Sequence, residues 1–231
     1  DELFTLFDLG MIDFEQRAKG EVLFWDVCEK VDKFARQAEY PGDEFEELRK
    51  LLCAKYLTNF SVFANLPDHW AIDQLFPILP IHRLNQPATE YATLCDVTCD
   101  SDGVVDKFID LHDVKEVLGL HKLISGEQYY LAVCLVGAYQ EVMGNNHNLF
   151  GDPNEAHIVI DQNGYLIKKV VAGSTVGDTL AWARYARAEL HESFRQLVQT
   201  RVKEGLLTPT DGDDLINRYE DKFGAYTYLD P

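Results

Sequence analysis

The 231-residue chain is 46% hydrophobic and 26% charged, which fits a folded domain with its own core and excludes a disordered tail. Asp and Glu number 39 against 21 Lys and Arg, and this formal charge of −18 argues against nucleic acid or an anionic membrane surface as a main partner. The five cysteines, an odd number, indicate a reduced intracellular compartment, and no apolar run reaches the roughly 18 residues of a membrane span.

The first 55 residues are predicted to form a helical hairpin or small bundle. Residues 3–11 read as a first helix, and residues 13–16 have the form of a capping box that opens a second one. Apolar residues then recur three or four apart, at Phe24, Val27, Val31, Phe34 and Ala38. Residues 40–42 end that helix, and the spacing of Phe45, Leu48 and Leu52 predicts a shorter third one.

From residue 56 onward the pattern favours strands. Residues 56–63 and 89–98 are predicted strands, and residues 129–136 are the best candidate for a fully buried one. Residues 70–81 contain Pro77 and Pro80 and therefore read as an irregular edge segment. A hairpin is predicted where an Asn-Gly pair separates residues 156–160 from residues 165–171, so the region suggests a barrel or sandwich.

The chain is predicted to finish with helices. Residues 175–178 look like a helix start, and Gly205 is a plausible C-terminal cap. The apolar face between them comprises Leu190, Phe194, Leu197, Val198 and Val202. A last short helix is expected to follow residues 210–213.

The segment of residues 94–103 concentrates thiols and acids directly after a predicted strand. Carboxylates beside a thiol raise its pKa, so Cys99, flanked by Asp100 and Asp102, is expected to stay protonated at neutral pH. Such a thiol suits proton donation, with a neighbouring carboxylate to hold a cation. Gly103 tolerates positive φ, which predicts a turn that places these groups at a strand end. Asp102 either assists in holding the cation or caps the turn, and the turn role is favoured.

Other reactive residues have plainer interpretations. A zinc site from Cys95, Cys99 and nearby histidines is a weak alternative, because no second ligand pair exists. The histidines concerned are His82, His112 and His121. Three further cysteines, Cys28, Cys53 and Cys134, are predicted to be packing residues. Within residues 147–148 (His-Asn), the histidine is expected to be structural, although the pair could organise a loop near the site.

Several long strings occur together in one order. They are residues 60–63, 66–77, 80–84, 99–103, 129–131, 135–141, 147–151 and 226–229. Together they closely resemble the C-terminal part of the biosynthetic arginine decarboxylases, pyridoxal-phosphate enzymes of the alanine racemase-like type. The resemblance implies an α+β fold with a helical insertion (1–55), a C-terminal β-barrel (56–173) and a C-terminal helical domain (174–231).

The resemblance also implies roles for three residues. Cys99 matches the thiol that protonates the α-carbon after carbon dioxide leaves, and Asp100 matches the carboxylate that binds the substrate's distal cation. Tyr139 matches the tyrosine that contacts the phosphate of pyridoxal phosphate. The cofactor barrel and its Schiff-base lysine have no counterpart in these residues, so the chain alone is expected to be inactive. Magnesium is possible in the family, but no magnesium site can be assigned here.

The implied partners are a pyridoxal-phosphate-binding barrel, a second copy in a dimer-based oligomer, and arginine as the substrate, with no nucleic acid and no membrane insertion. The chain begins with Asp1 rather than Met, so either a preceding segment was removed or the chain is a piece of a longer protein. The expected location is cytoplasmic, or an organelle stroma or matrix if a targeting segment was lost.

Three hypotheses remain open. The chain is the C-terminal polypeptide of a split, processed or truncated arginine decarboxylase, or a non-catalytic relative that serves as a structural subunit. In the third, weakest hypothesis the enzyme acts on ornithine, lysine or diaminopimelate instead.

Overall fold

The structure is a computed structural model that describes residues 2–35, 44–111 and 113–229. Its helices are α1 (Glu2–Asp8), α2 (Phe14–Ala35), α3 (Glu44–Leu52), α4 (Val62–Asn65), α5 (Pro67–Ile72), α6 (Ala138–Val142), the 3-10 helix His147–Leu149, α7 (Val176–Trp182), α8 (Arg187–Lys203) and α9 (Pro209–Lys222). Its strands are β1 (Ala54–Leu57), β2 (Ile78–Pro80), β3 (Glu90–Cys95), β4 (Val104–Val105), β5 (Phe108–Ile109), β6 (Val114–Lys115), β7 (Leu118–Leu120), β8 (Leu131–Val133), β9 (Glu155–Asp161) and β10 (Gly164–Val171). No described helix is long and apolar enough to cross a membrane.

The N-terminal helices confirm the sequence prediction, including the capping box. The amide of Gln16 donates to Asp13 Oδ1 at 2.7 Å, and the amide of Asp13 donates back to Gln16 Oε1 at 2.9 Å. The two reciprocal bonds satisfy amides that have no partner inside the helix.

The predicted apolar stripe of α2 lies on the exposed side of the helix. The buried residues of α2 are Cys28, Asp32 and Ala35, and α2 packs against α3. In contrast, Phe24 is exposed and Phe34 is 72% exposed. Ala38 and residues 40–42 lie outside the described residues. The apolar spacing therefore marks a face that α1 and α3 do not cover.

Strand β3 is the centre of the main sheet. It pairs in parallel with β1, and its other edge pairs antiparallel with β7 and then with β4. The strand predicted at residues 89–98 is confirmed over Glu90–Cys95, and residues 96–98 belong to the turn that follows. The core against this sheet contains Val62, Leu66, Phe76, Ala92, Leu94, Val105, Phe108, Leu118 and Leu120. Burial of these side chains fixes the position of the turn that follows β3.

Two predicted extended segments contain helices. The segment 56–63 is strand only as far as Leu57, because the Ser61 hydroxyl accepts from the amide of Ala64 and starts α4. Residues 70–81 contain the end of α5 and then β2, which pairs with β8. The Pro67 ring at the first position of α5 is compatible with a helix start, where no intrahelical amide bond is lost.

The described strands do not close into the predicted β-barrel, although the α+β class is confirmed. They form a four-stranded sheet and three separate two-stranded sheets (β2–β8, β5–β6 and β9–β10) that share no strand. A mostly apolar cleft of about 600 Å³ is lined by residues of both the four-stranded sheet (β1) and the β2–β8 pair.

The segment 129–136 was also predicted incorrectly. Only β8 is strand, its three residues are half-buried, and Tyr130 and Leu135 are exposed. The Asn-Gly hairpin of β9 and β10 is confirmed, with Gly164 at φ +129°, and it is exposed along nearly its whole length.

The helix predicted between residue 175 and Gly205 starts and ends as expected but is interrupted, because α7 ends at Trp182 and α8 starts at Arg187. Thr175 and Asp178 form a capping box at α7, and the exposed Asp178 carboxyl has a lowered pKa because it accepts from the Thr175 hydroxyl and amide. Gly205 adopts φ +73° just beyond α8. The last helix starts earlier than predicted, because Thr208 caps it and residues 210–213 are already helical. The division at residues 55/56 and 173/174 stays a prediction.

Candidate functional site

The turn between β3 and β4 is built around a buried carboxylate. Asp96, only 3% exposed, accepts at Oδ1 from the amide of Thr98 (2.8 Å) and from its hydroxyl (2.6 Å). Its Oδ2 accepts from the amide of Val62 at 2.8 Å, at the first residue of α4. The amide of Asp96 donates to the carbonyl of Gly103 at 2.8 Å, which closes the turn. Asp96 therefore fixes the turn and α4 to each other.

Gly103 is needed for space, and the sequence-based reason for it was wrong. Its backbone is not among the positive-φ glycines. A Cβ at this position would lie 2.2 Å from Asp96 Oδ1 and 2.7 Å from Thr98 Oγ1. A side chain here would thus displace the carboxylate that holds the turn.

The turn presents Cys99 and Asp100 at the protein surface. Cys99 is an exposed free thiol, and the side chain of Asp100 is about one-third exposed. Asp100 Oδ1 accepts from the amide of Asp102 at 2.9 Å, so Asp100, rather than Asp102, makes the local turn contact. A thiol and a carboxylate on successive residues are both accessible to a ligand.

The 3-10 helix provides partners for both residues. Asn148 Oδ1 accepts from the amide of Cys99 at 3.2 Å, and Asn148 Nδ2 donates to Cys99 Sγ at 3.4 Å. His147 Nε2 lies 3.1 Å from Asp100 Oδ2. The sequence favours a structural role for His147, and the signal that points to these contacts is its place in a string that resembles the family.

A row of aromatic rings lies beside the turn. The His147 ring lies 4.4 Å from the Phe63 ring between centroids, and Phe63 makes an edge contact with Trp70 at 5.2 Å. Trp70 Nε1 donates to Asp102 Oδ2 at 3.4 Å. Because Phe63 is buried in α4, the row of rings is anchored in the core. It supports the turn at Asp100 through His147 and at Asp102 through Trp70.

Tyr139 lies on α6, and its side chain is 76% exposed. In the described part of the chain, its hydroxyl makes no hydrogen bond to the Cys99 turn. The two regions are connected through α4, which packs against α6 and contacts His147 through Phe63. The structure thus brings Cys99 and Asp100 together and leaves Tyr139 on a neighbouring element.

The histidines of the zinc alternative that the structure describes have other partners. Both ring nitrogens of His121 have partners, the Tyr129 hydroxyl at 2.8 Å and the Gln86 carbonyl at 3.1 Å. The ring of His82 stacks on Tyr130, and His112 lies outside the described residues. No group of three metal-ligating side chains occurs among the described residues. Cys28 is buried, whereas Cys53 and Cys134 are half-buried.

The C-terminal tail packs beneath α4 and the 3-10 helix. The Tyr228 hydroxyl donates to the carbonyl of Gly151 at 2.7 Å and accepts from Asn65 Nδ2 at 3.2 Å. Burial raises the pKa of Tyr228 to about 12. These contacts hold the tail against the end of α4 and the segment after the 3-10 helix.

Two family models match the ends of the chain. The arginine decarboxylase helical bundle domain matches residues 1–49, and the arginine decarboxylase C-terminal helical extension matches residues 176–229. The biosynthetic arginine decarboxylase of Thermosynechococcus vestitus is 47% identical over 228 residues, which are 99% of this chain and 36% of that protein. The enzyme of a Nostoc strain is 45% identical over 229 residues, 99% of this chain and 34% of the relative.

A solved structure supports the same relationship. The crystal structure of the biosynthetic arginine decarboxylase from Campylobacter jejuni matches with a TM-score of 0.80 and 30% identity, over 99% of this chain and 35% of that one. The two matched helical regions and the matched crystal structure therefore make this chain similar to one part of the arginine decarboxylases. These matches support this chain being part of a biosynthetic arginine decarboxylase, and it spans about a third of the length of the curated relatives it matches.

Proposed function

We propose that this chain is the C-terminal portion of a pyridoxal-phosphate-dependent arginine decarboxylase, which converts arginine to agmatine in polyamine biosynthesis. It supplies a proton donor and a substrate-binding carboxylate to a site completed by a cofactor-binding barrel outside these residues. The observation that carries the proposal is the braced turn after β3, which holds the Cys99 thiol and the Asp100 carboxylate side by side at the surface.

The described residues fit one edge of a cofactor site. Tyr139 has an exposed hydroxyl that suits donation to a phosphate oxygen. Among the described residues, no lysine forms a hydrogen bond or ion pair with Cys99 or Asp100, and the Lys107 amine pairs with Asp73 at 2.8 Å. The amine that binds the cofactor is therefore assigned to the barrel. Pyridoxal phosphate, when bound, supplies the electron sink for loss of carbon dioxide.

Cys99 is assigned the return of one proton to the α-carbon. The thiol is exposed, so it can reach a substrate that lies against the turn, and its amide and sulfur are both held by Asn148. A positioned acid adds about 100-fold to 10,000-fold to such a step. The turn thus provides both the acid and its fixed geometry.

We assign to Asp100 the binding of the guanidinium group of arginine. One contact at each carboxylate oxygen, from Asp102 and His147, leaves further lone pairs free on both. A planar guanidinium binds a carboxylate through two parallel hydrogen bonds. The chain's net charge of −18 also favours the approach of a cationic substrate.

The partners follow from the same assignment. The site requires a pyridoxal-phosphate barrel, and we propose a dimer-based oligomer in which the turn of one copy faces the barrel of another. The proposed location is the cytoplasm, or an organelle interior for a processed chain.

The test begins with the intact assembly. Purification from the natural source without denaturant, followed by native mass spectrometry, is expected to give a barrel-sized partner or a longer polypeptide with pyridoxal phosphate absorbance. In that assembly, Cys99→Ala is expected to lower kcat for arginine decarboxylation at least about 100-fold, because the positioned acid is lost. Cys134→Ala, which changes a half-buried cysteine outside the turn, is the matched control.

A second candidate function is a non-catalytic assembly subunit. It is favoured by the exposed apolar side chains of α2, among them Val22, Leu23 and Phe34, which need a covering partner in solution. Isolation with unrelated proteins and without cofactor would support this role and contradict the catalytic one. Preserved decarboxylation in Cys99→Ala would contradict the proton-donor assignment alone.

A further inference from the structure

We infer that His147 and Asn148 form one positioning unit for the reaction, in which Asn148 sets the proton donor and His147 sets the substrate-binding carboxylate. The inference rests on the proposed function and adds two residues to it. Successive residues of the 3-10 helix contact successive residues of the turn, with Asn148 on Cys99 and His147 on Asp100.

Asn148 holds Cys99 at two points. Its carbonyl oxygen accepts from the Cys99 amide at 3.2 Å, and its amide nitrogen donates to Cys99 Sγ at 3.4 Å. The backbone of Asn148 adopts φ 55° and ψ 23°, a left-handed conformation that asparagine tolerates better than most residues. In this conformation both ends of the side-chain amide contact the same cysteine.

The sulfur contact has a chemical consequence. Because Asn148 Nδ2 brings a hydrogen to the sulfur, the thiol's own hydrogen must point elsewhere. In the proton transfer, the S–H bond breaks and its electron pair stays on sulfur. The electron pair left at the α-carbon by the broken C–C bond forms the new C–H bond, and water later returns a proton to the sulfur. A hydrogen bond to the resulting thiolate is stronger than one to the thiol, so the contact favours proton donation.

His147 orients Asp100 in a comparable way. Its ring packs on the buried Phe63, 4.4 Å between centroids, so the position of Nε2 is fixed by the core. Since a carboxylate only accepts, Nε2 carries the hydrogen of the 3.1 Å contact with Asp100 Oδ2. Asp102 holds the other oxygen through its amide. The plane of the carboxylate is thereby set before a guanidinium arrives.

The first test measures the thiol without any catalysis. Iodoacetamide alkylation of Cys99, followed by peptide mass spectrometry at pH 8, is expected to slow about tenfold in Asn148→Asp and in Asn148→Gly, because both remove the donor to sulfur. Asn148→Gly suits the left-handed backbone and adds no charge. Asn163→Asp in the exposed β9–β10 turn is the matched control, and Cys134 is the internal reference in each sample. An unchanged Cys99 rate in Asn148→Gly overturns the assignment of Asn148.

The second test separates the two residues kinetically in the assembled enzyme. Asn148→Gly is expected to lower kcat about tenfold with KM for arginine within about twofold, since only the proton donor is affected. His147→Ala is expected to raise KM about tenfold with kcat within about twofold, and His147→Gln, which keeps an N–H donor, is expected to restore most of the affinity. The control His157→Ala lies on the exposed hairpin.

The possible outcomes separate the inference from the proposed function. An active wild-type assembly in which both variants change kcat and KM alike, or in which neither changes either constant, overturns the positioning unit. An inactive wild-type assembly contradicts the proposed function and with it the kinetic split. The alkylation rates still decide the Asn148–Cys99 contact in that case.

Discussion

At the scale of single residues, the site depends on a close approach that only glycine permits. The Cβ of Gly103→Ala would lie 2.2 Å from Asp96 Oδ1, a carboxylate that is buried and bonded at both oxygens. Forcing atoms into such a space costs about 1–3 kcal/mol. We expect Gly103→Ala to lower the free energy of unfolding by about 2 kcal/mol in urea denaturation.

Gly224→Ala is the matched control for this substitution. Its added Cβ would meet its nearest neighbour at 3.6 Å, an ordinary contact, and its backbone is not among the positive-φ glycines. Its unfolding midpoint is expected to stay within experimental error of the wild type. Equal stability of the two variants would contradict the close approach at Gly103.

The residues of the turn could be predicted from sequence, but their partners could not. The composition of residues 94–103, with two thiols, three acids and a glycine, predicts a turn that carries reactive groups. Asn148, which holds Cys99, lies 49 positions away, and no local pattern records which side chain meets which across that distance. The family resemblance selected the right string, yet only the geometry shows that its histidine and asparagine contact the turn.

At the scale of elements, the sequence predicted best where a helix carries its own caps. Asp13 with Gln16, and Thr175 with Asp178, are local signals that need no tertiary partner. The strand predicted around Ser61 was wrong although Ser61 caps α4 locally, because the aromatic and branched residues there favour a strand. The first amide of α4 also donates to Asp96, 34 residues away, and no local pattern indicates that bond.

This joint between α4 and the turn gives a prediction. Asp96→Asn keeps one acceptor oxygen and replaces the other by an NH2 group that faces a donor, either at Val62 or at Thr98. Losing a hydrogen bond to a charged acceptor in a buried place costs about 1.5–3 kcal/mol. We expect a loss of about 2 kcal/mol in chemical denaturation together with faster hydrogen exchange of the Val62 amide.

The control is Asp214→Asn on the exposed face of α9. Its carboxylate lies 3.9 Å from Arg218, and such surface pairs contribute about 0.5 kcal/mol or less. If Asp96→Asn were as mild as this control, the buried carboxylate would not be the joint between turn and helix.

At the scale of the whole molecule, the predicted barrel failed because strand content does not determine closure. The strands were largely present, and their local pairings, such as the β9–β10 hairpin, follow from turn chemistry. A barrel also needs a continuous ring of hydrogen-bonded strands. The described sheets have no strand in common, so they form no such ring. The exposed stripe of α2 shows the same limit, since apolar spacing identifies a face without identifying what covers it.

The C-terminal tail links distant parts of the chain to the region beneath the site. Asn59 and Leu229 exchange two hydrogen bonds of 2.7 and 2.9 Å between the side-chain amide and the backbone. Tyr228 is 6% exposed, and its hydroxyl bridges Asn65, at the end of α4, and the carbonyl of Gly151. The tail therefore joins the loop after β1, α4 and the segment after the 3-10 helix. Loss of these contacts is expected to lower the free energy of unfolding of the whole chain.

The raised pKa of Tyr228 makes this contribution dependent on pH. Burial lifts the pKa from 10.0 to about 12, so below pH 10 the phenol is neutral in both the folded and unfolded states. Between pH 10 and 12 the unfolded chain loses the proton first, and the free energy of unfolding falls as pH rises, by up to about 2 kcal/mol.

We expect Tyr228→Phe to be less stable by about 1 kcal/mol at pH 7, because two hydrogen bonds are lost. Above pH 10 the variant should lose less stability than the wild type, so the two urea midpoints converge, whereas Tyr185→Phe, at an exposed tyrosine, should follow the wild-type curve throughout. Parallel curves for wild type and Tyr228→Phe would mean that the phenol ionises freely in the folded chain, and that the tail does not stay packed beneath the site in solution.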